Sequence, residues 1–270
     1  MPDLARLWTD LQEKAPLVHC ITNAVTVNDC ANILLACGAS PIMADDPEEV
    51  EEITARADGL VLNLGTLHRA TVPALFKAGK KANELGHPVV LDPVGVGASA
   101  FRRETARQLL EEVRFAVVRC NASELRALGE GTLSARGVDA DGDASPEAVM
   151  DLARAFARET GAVVAVTGAV DVATDGDRIC LGYNGHPMLR RVTGTGCMLS
   201  ALTGAFVAAA PDRPWEAACA AVIAMACCGE LAHARLGPED GAGTLHRCLL
   251  DAVSRLTGER LEKEARYETR

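Results

Sequence analysis

The chain is expected to fold as an α/β protein, with a central, mainly parallel sheet flanked by helices and a helical C-terminal third. Three observations carry this expectation. Helical apolar spacing alternates with short runs such as Gly59–Leu64, Pro88–Leu91 and Ala162–Val166, which read as strands buried on both faces. The carboxyl ends of these runs repeatedly carry polar or glycine-rich residues, and open parallel sheets place their ligands at that edge. After Gly196 the chain reads as helix over Cys197–Ala210, Trp215–Leu236 and Thr244–Leu256.

In chain order, Leu4 to Lys14 has amphipathic helical spacing and Leu17–Ile21 is a strand ending in Thr22-Asn23. Val27 to Cys37 is helical, with Gly38 as its C-cap. Pro41–Ala44 is extended, and Pro47-Glu48-Glu49 opens an acidic helical turn capped by Asp46. Gly59–Leu64 is followed by a helix from about His68 to Leu85, then by the strand Pro88–Leu91, which stops at Asp92-Pro93. Ser99 to Glu112 is helical, Phe115–Arg119 is a strand, and Asn121 caps Ser123–Leu128. Gly129 to Ser145 is polar and glycine-rich, an excursion between elements. Pro146–Thr160 is a helix and Ala162–Val166 a strand, and Asp175-Gly176-Asp177 joins Val170–Thr174 to Arg178–Leu181 as a hairpin. With no repeat and no linker, residues 1–270 are expected to form one domain, 257–270 being a charged tail that is solvated helix or disordered.

Composition narrows the function. Hydrophobic residues make up 49% of the chain and aromatics only 3%, so Ala, Val, Leu and Gly build the core. A net charge of −10 argues against a nucleic-acid partner, although a local glycine-rich pocket can still hold an anion. The runs Ala201–Ala210 and Ala217–Cys228 are short for a membrane span. The N-terminus lacks the features of a signal peptide. Ten cysteines are scattered through apolar surroundings without a C-x-x-C pair, as in the reduced core of a cytoplasmic protein. There is also no H-E-x-x-H, which sets zinc aside.

The stretch Val192-Thr193-Gly194-Thr195-Gly196-Cys197 stands at the start of a long apolar run. Glycines let backbone approach a ligand, and the first turn of a helix leaves N–H groups for an anion. The alternative is a glycine-rich helix entry with a small buried thiol. No G-x-x-x-x-G-K-[ST] or G-x-S-x-G occurs, and Gly95-Val96-Gly97 lacks the third glycine of a dinucleotide fingerprint. The remaining residues suit phosphoryl transfer, which needs positioning, cations and a base for the attacking hydroxyl. Asp92 and Glu124 are carboxylates able to hold Mg²⁺ directly or through water; otherwise they are a turn residue and a first-turn helix carboxylate. Arg119 suits a phosphate clamp or a surface ion pair, and Thr167-Gly168 suits nucleotide contact or a plain strand end.

Taken together, P-L-V-H-C-I-T-N (16–23), V-N-D-C-A-N (27–32), A-S-P-I-M (39–43), N-L-G-T-L (63–67), P-V-V-L-D-P-V-G-V-G (88–97), R-C-N-A-S-E (119–124), A-V-T-G (165–168), D-G (175–176) and V-T-G-T-G-C (192–197) closely resemble the hydroxyethylthiazole kinases. The resemblance runs from about residue 5 to 256. It implies a ribokinase-like three-layer fold and transfer of the ATP γ-phosphate to 4-methyl-5-(2-hydroxyethyl)thiazole in thiamine salvage. It also implies a homotrimer with thiazole sites between subunits. By motif, Asn23, Met43 and Gly194 fall on the thiazole side, Arg119 and Thr167 on the ATP side, Asp92 and Glu124 at the Mg²⁺ and phosphate positions, and Cys197 at the catalytic position.

Two departures stand out: Cys120 where Gly or Ala is expected, and a tail after Thr257 without a counterpart. In the wider superfamily an Asp serves as base where Cys197 stands. The helix N-terminus favours a thiolate there and neighbouring phosphate disfavours it, so the residue pattern leaves the balance open. A related kinase of a hydroxymethylpyrimidine, a non-catalytic nucleotide- or thiazole-binding regulator, and a Cys-nucleophile hydrolase are the competing readings.

Overall fold

The computed structural model describes residues 1–132 and 145–270. Its strands are β1 (Leu17–Ile21), β2 (Ser40–Ile42), β3 (Gly59–Asn63), β4 (Val89–Asp92), β5 (Val117–Asn121), β6 (Val163–Thr167), β7 (Asp171–Thr174), β8 (Ile179–Gly182) and β9 (Tyr267–Thr269). They form one sheet in the order β2-β1-β3-β4-β5-β6-β7-β8-β9. Pairing is parallel from β2 to β6 and antiparallel from β6 to β9.

Helices cover both faces. Strand alternation sends Val61 to one side and Leu60 and Leu62 to the other, as the twofold period of a strand requires. One side holds α1 (Leu4–Lys14), α2 (Val27–Cys37), α8 (Thr195–Ala209), α9 (Pro214–His233) and α10 (Ala242–Ser254). The other holds α4 (Val72–Leu85), α5 (Ala100–Glu112), α6 (Ala122–Thr132) and α7 (Pro146–Thr160). The short α3 (Val50–Arg56) packs against α4.

Close helix–sheet contact explains the small-residue core. A methyl group at Gly204 of α8 would overlap Val61 Cγ2 and approach Val18 Cγ1 to 3.2 Å. Gly204→Ala is therefore expected to destabilise the fold by about 1–3 kcal/mol, read from the urea midpoint; an unchanged midpoint would show that α8 sits farther from the sheet.

Several boundaries differ from the sequence expectation. Helix α4 starts at Val72 rather than His68, because Thr71 N and Oγ1 both donate to His68 O in a turn ahead of Pro73. Asp46 caps a turn, accepting from Glu48 N at 2.8 Å, and α3 begins only at Val50. The excursion expected over Gly129–Ser145 begins inside α6, and Ser145 caps α7; residues 133–144 lie outside the described residues. The run Ala217–Cys228 belongs to a 20-residue helix that is long and apolar enough to cross a membrane, but its apolar window is 83% buried within the fold.

The tail is the largest correction. Thr257 Oγ1 accepts from Arg260 N to start α11 (Gly258–Glu264), whose Leu261 is fully buried. Strand β9 then closes the open edge of β8, and Arg266 pairs with Glu230 at 2.6 Å. An unpaired edge leaves a row of N–H and C=O groups, and these charged residues cover it.

Candidate active site

The carboxyl edge of the sheet assembles the site. Register sets Asn63 beside Asp92 and Asn121 beside Thr167. Above them α8 begins at Thr195, after Gly194 at φ +85°. A Cβ there would lie 2.6 Å from Thr26 Cγ2, so both conformation and space demand glycine. Gly196 is the second close approach: a Cβ would meet the Arg119 guanidinium at 3.1 Å.

Asp92 lies at the centre of a buried charge network. Its Oδ2 accepts from Arg119 Nη2 at 2.7 Å, Ser200 Oγ at 2.7 Å and Asn63 Nδ2 at 2.8 Å. Ser200 Oγ in turn accepts from Arg119 Nε at 2.8 Å. Burial disfavours the Arg119 cation, yet the attraction of Asp92, with Glu124 and Cys197 adding, raises its pKa above the ordinary value. Arg119 thus occupies the floor beneath Gly196, as a buried ion pair rather than a surface one.

Cys197 sits in the first turn of α8, partly exposed, while the other nine cysteines are buried. Its Sγ accepts from Asn23 Nδ2 at 3.2 Å and Asn63 Nδ2 at 3.3 Å. Sequence reasoning gave no role to Asn63 or Ser200. The available signals were a polar residue ending an otherwise apolar strand, and a serine three residues after Cys197 in an apolar helix.

Glu124 ties down the neighbouring loops. It forms a capping box with Asn121, whose Oδ1 accepts from Glu124 N while Glu124 Oε2 accepts from Asn121 N at 3.0 Å. Its Oε1 accepts from Gly95 N at 3.0 Å, fixing the loop after Asp92. Among the described residues no cluster of three His, Cys, Asp or Glu side chains could hold a metal. Mg²⁺ bound through substrate phosphates needs only one or two carboxylates. The buried Asp92 Oδ1, without a hydrogen-bond partner among the described residues, meets that requirement, and each Glu124 oxygen keeps a lone pair for a bridging water.

A cleft of about 700 Å³ runs beside the start of α8, lined on its polar side by Asn121, Thr167, Gly168, Asp171, Thr195 and Gly196. A smaller hollow of about 250 Å³ includes Thr22, Asp45, Asn63 and Gly65. Of the residues expected at the site, Thr167 lines the large cleft, while Asp92, Arg119 and Glu124 lie buried beneath the edge. Gly194 sits against Thr26 and Asp29. Met43 packs against the core, next to Ala44. The buried His19 fixes that segment: its Nε2 donates to Ala44 O at 2.8 Å and its Nδ1 accepts from Thr54 Oγ1 at 3.0 Å. Burial lowers the pKa of His19, favouring this neutral form.

Asp171 adds a titration to the cleft. Burial pushes its carboxyl up to about 6, against the pull of the Gly168 N–H and Arg119. An acid raised by folding contributes stability below its unfolded pKa of about 4, and loses it as pH rises through the folded value. Asp171→Asn should therefore gain on wild type by about 1–2 kcal/mol between pH 4.5 and pH 8, followed by thermal melts. Parallel curves across that range would refute a buried, displaced titration.

The match to known proteins agrees with this arrangement. Residues 8–259 match the model of the "Hydroxyethylthiazole kinase family". This chain belongs to the hydroxyethylthiazole kinase family. A hydroxyethylthiazole kinase of Clostridium acetobutylicum is 52% identical over 94% of this chain and 95% of its own length. One from Methanoculleus marisnigri is 48% identical over 98% and 93% respectively. The solved structure of the Pyrococcus horikoshii hydroxyethylthiazole kinase superposes with a TM-score of 0.89 at 40% identity, covering 99% of this chain and 98% of that one. Beyond the hydroxyethylthiazole kinases, the Staphylococcus aureus pyridoxal kinase in complex with AMP-PCP and pyridoxal has a TM-score of 0.64 at 14% identity, over 95% of this chain and 99% of its own. That likeness shows the shared ribokinase-like fold.

Proposed function

We propose that this kinase transfers the γ-phosphoryl group of ATP to the hydroxyl of 4-methyl-5-(2-hydroxyethyl)thiazole, a step of thiamine salvage. Family membership supports the substrate. The observation that carries the chemistry is the partly exposed Cys197, its Sγ held by two amide donors in the first turn of α8, whose Thr195 and Gly196 line a cleft of about 700 Å³.

In this reading ATP enters the large cleft, with Thr167 and the backbone of Thr195 and Gly196 toward its phosphates. Arg119 supplies positive charge from beneath Gly196. The thiazole alcohol lies on the side of Asn23, Met43 and Gly194. Deprotonated Cys197 Sγ takes the hydroxyl proton as the alcohol oxygen bonds to the γ-phosphorus. The bond between that phosphorus and the β,γ-bridging oxygen breaks, and ADP leaves with the electron pair. N–H groups at the α8 N-terminus stabilise the charge developing on the transferred group. Asp92 and Glu124 would hold Mg²⁺, which when bound would supply charge neutralisation at the phosphates.

The assembly we propose is a homotrimer with the thiazole site between subunits, in the cytoplasm. Exposed Val25, Val27 and Leu35, along α2 and its approach from Asn23, support an association surface there. Sedimentation equilibrium tests it, a monomeric mass being the contrary result.

The function is tested by product formation from ATP, Mg²⁺ and each of two alcohols, the hydroxyethylthiazole and a hydroxymethylpyrimidine. Preferential phosphorylation of the thiazole alcohol is expected. Tight binding of ATP and thiazole with no turnover would instead make this chain a binding protein.

A further inference from the structure

We infer that Asn63 is a positioning residue of the phosphoryl-transfer step, holding Cys197 Sγ as a proton acceptor and joining it to the Asp92–Arg119 pair. The inference rests on the reading of Cys197 given above.

The carboxamide of Asn63 is fully used and can face only one way. Its Oδ1 accepts from Gly65 N at 2.8 Å and from Asn23 Nδ2 at 3.1 Å. A backbone N–H can only donate, so the atom facing Gly65 must be the oxygen. The nitrogen therefore faces the other pair, donating to Asp92 Oδ2 at 2.8 Å and to Cys197 Sγ at 3.3 Å. Asn23 is fixed by the same logic. Its Oδ1 accepts from Val25 N and Thr26 N, both at 3.1 Å, which leaves Nδ2 for Asn63 Oδ1 and Cys197 Sγ.

Two carboxamides, each locked by backbone donors, thus direct N–H groups at one sulfur. Donors favour a sulfur that carries negative charge and presents its lone pairs. Asn63 is only 4% exposed, and its rigidity follows from that burial and from the sheet register beside Asp92. Gly65 is required for the arrangement, since a Cβ there would lie 2.8 Å from Asn23 Cβ.

The test is a double-mutant cycle on turnover of the thiazole alcohol with Asn63→Leu and Cys197→Ala. Asn63→Leu should lower kcat at least tenfold with KM for ATP within twofold of wild type. In the Cys197→Ala background the fold-loss should be several times smaller, what remains being the lost donor to Asp92. An equal loss in both backgrounds would place the effect in general structure or in Asp92 and overturn the inference. Should Asn63→Leu fail to fold, Asn63→Ala takes its place: it removes both N–H donors without setting a second carboxylate against Asp92, and should show the same dependence on Cys197.

A second readout uses no substrate. Alkylation of Cys197 by iodoacetamide in the ligand-free protein, followed by peptide mass, should slow at least threefold in the Asn63 variant. An unchanged or faster rate overturns the inference, whereas a wild type inactive on the thiazole alcohol overturns only the assigned substrate.

Discussion

Cys197→Ala is expected to lower kcat for the thiazole alcohol by about 10²-fold or more, the usual contribution of a positioned base, while Cys197→Asp retains activity. The alanine leaves Asn23 and Asn63 Nδ2 with no sulfur to meet, and nothing in its place can receive the hydroxyl proton. An aspartate at the same first turn of α8 restores an acceptor, and an anion there is favoured by the N–H groups of the helix start. Both carboxamides can donate to it as they do to sulfur. The comparison separates two roles of the position. A Cys197→Ala enzyme with unimpaired turnover removes the thiol from the mechanism, and an inactive, folded Cys197→Asp enzyme makes the sulfur's role something other than proton acceptance. The expected signature lies in kcat, because the ATP cleft borders Thr195 and Gly196 but not the Cys197 side chain.

Elements fixed by local chemistry were legible in the sequence. Gly38 ends α2 in the left-handed region at φ +92°, and Asp175-Gly176-Asp177 turns β7 into β8, as their residue types require. Elements decided by distant partners were not. The charged tail has no local pattern that marks β9, whose formation depends on the open edge of β8 more than 80 residues earlier. The site shows the same division. Asp92, Arg119 and Cys197 could be picked out because their types suit phosphoryl transfer and recur in the motifs shared with the hydroxyethylthiazole kinases, although each alone is ordinary at a strand end or helix entry. Their mutual arrangement was hidden: nothing local to Val117–Asn121 says that Arg119 turns inward to Asp92 and Ser200 rather than outward to a phosphate. Asn63 looked like the polar end of a strand until register set it beside Asp92 and α8 brought Cys197 above it.

Loss of Arg119 should be the most destabilising single change at the site. Arg119→Met keeps the volume but leaves Asp92 fully buried without its cation, supported only by Asn63 and Ser200. Breaking one half of a buried pair costs about 3–5 kcal/mol, because the remaining charge is uncompensated. That compares with about 0–1 kcal/mol for surface pairs such as Arg56–Glu52. Adding Asp92→Asn to Arg119→Met removes the stranded carboxylate, so the double variant should recover a substantial part of the loss. Urea midpoints of the two single variants and the double complete the cycle. Neither single variant should respond to added salt as a surface pair would, since screening acts weakly on buried charge. An Arg119→Met protein within about 1 kcal/mol of wild type would show that the buried pair adds little net stability to the fold. If instead the double variant regains stability but not turnover, the buried pair is retained for phosphoryl transfer at a cost that the fold alone does not require.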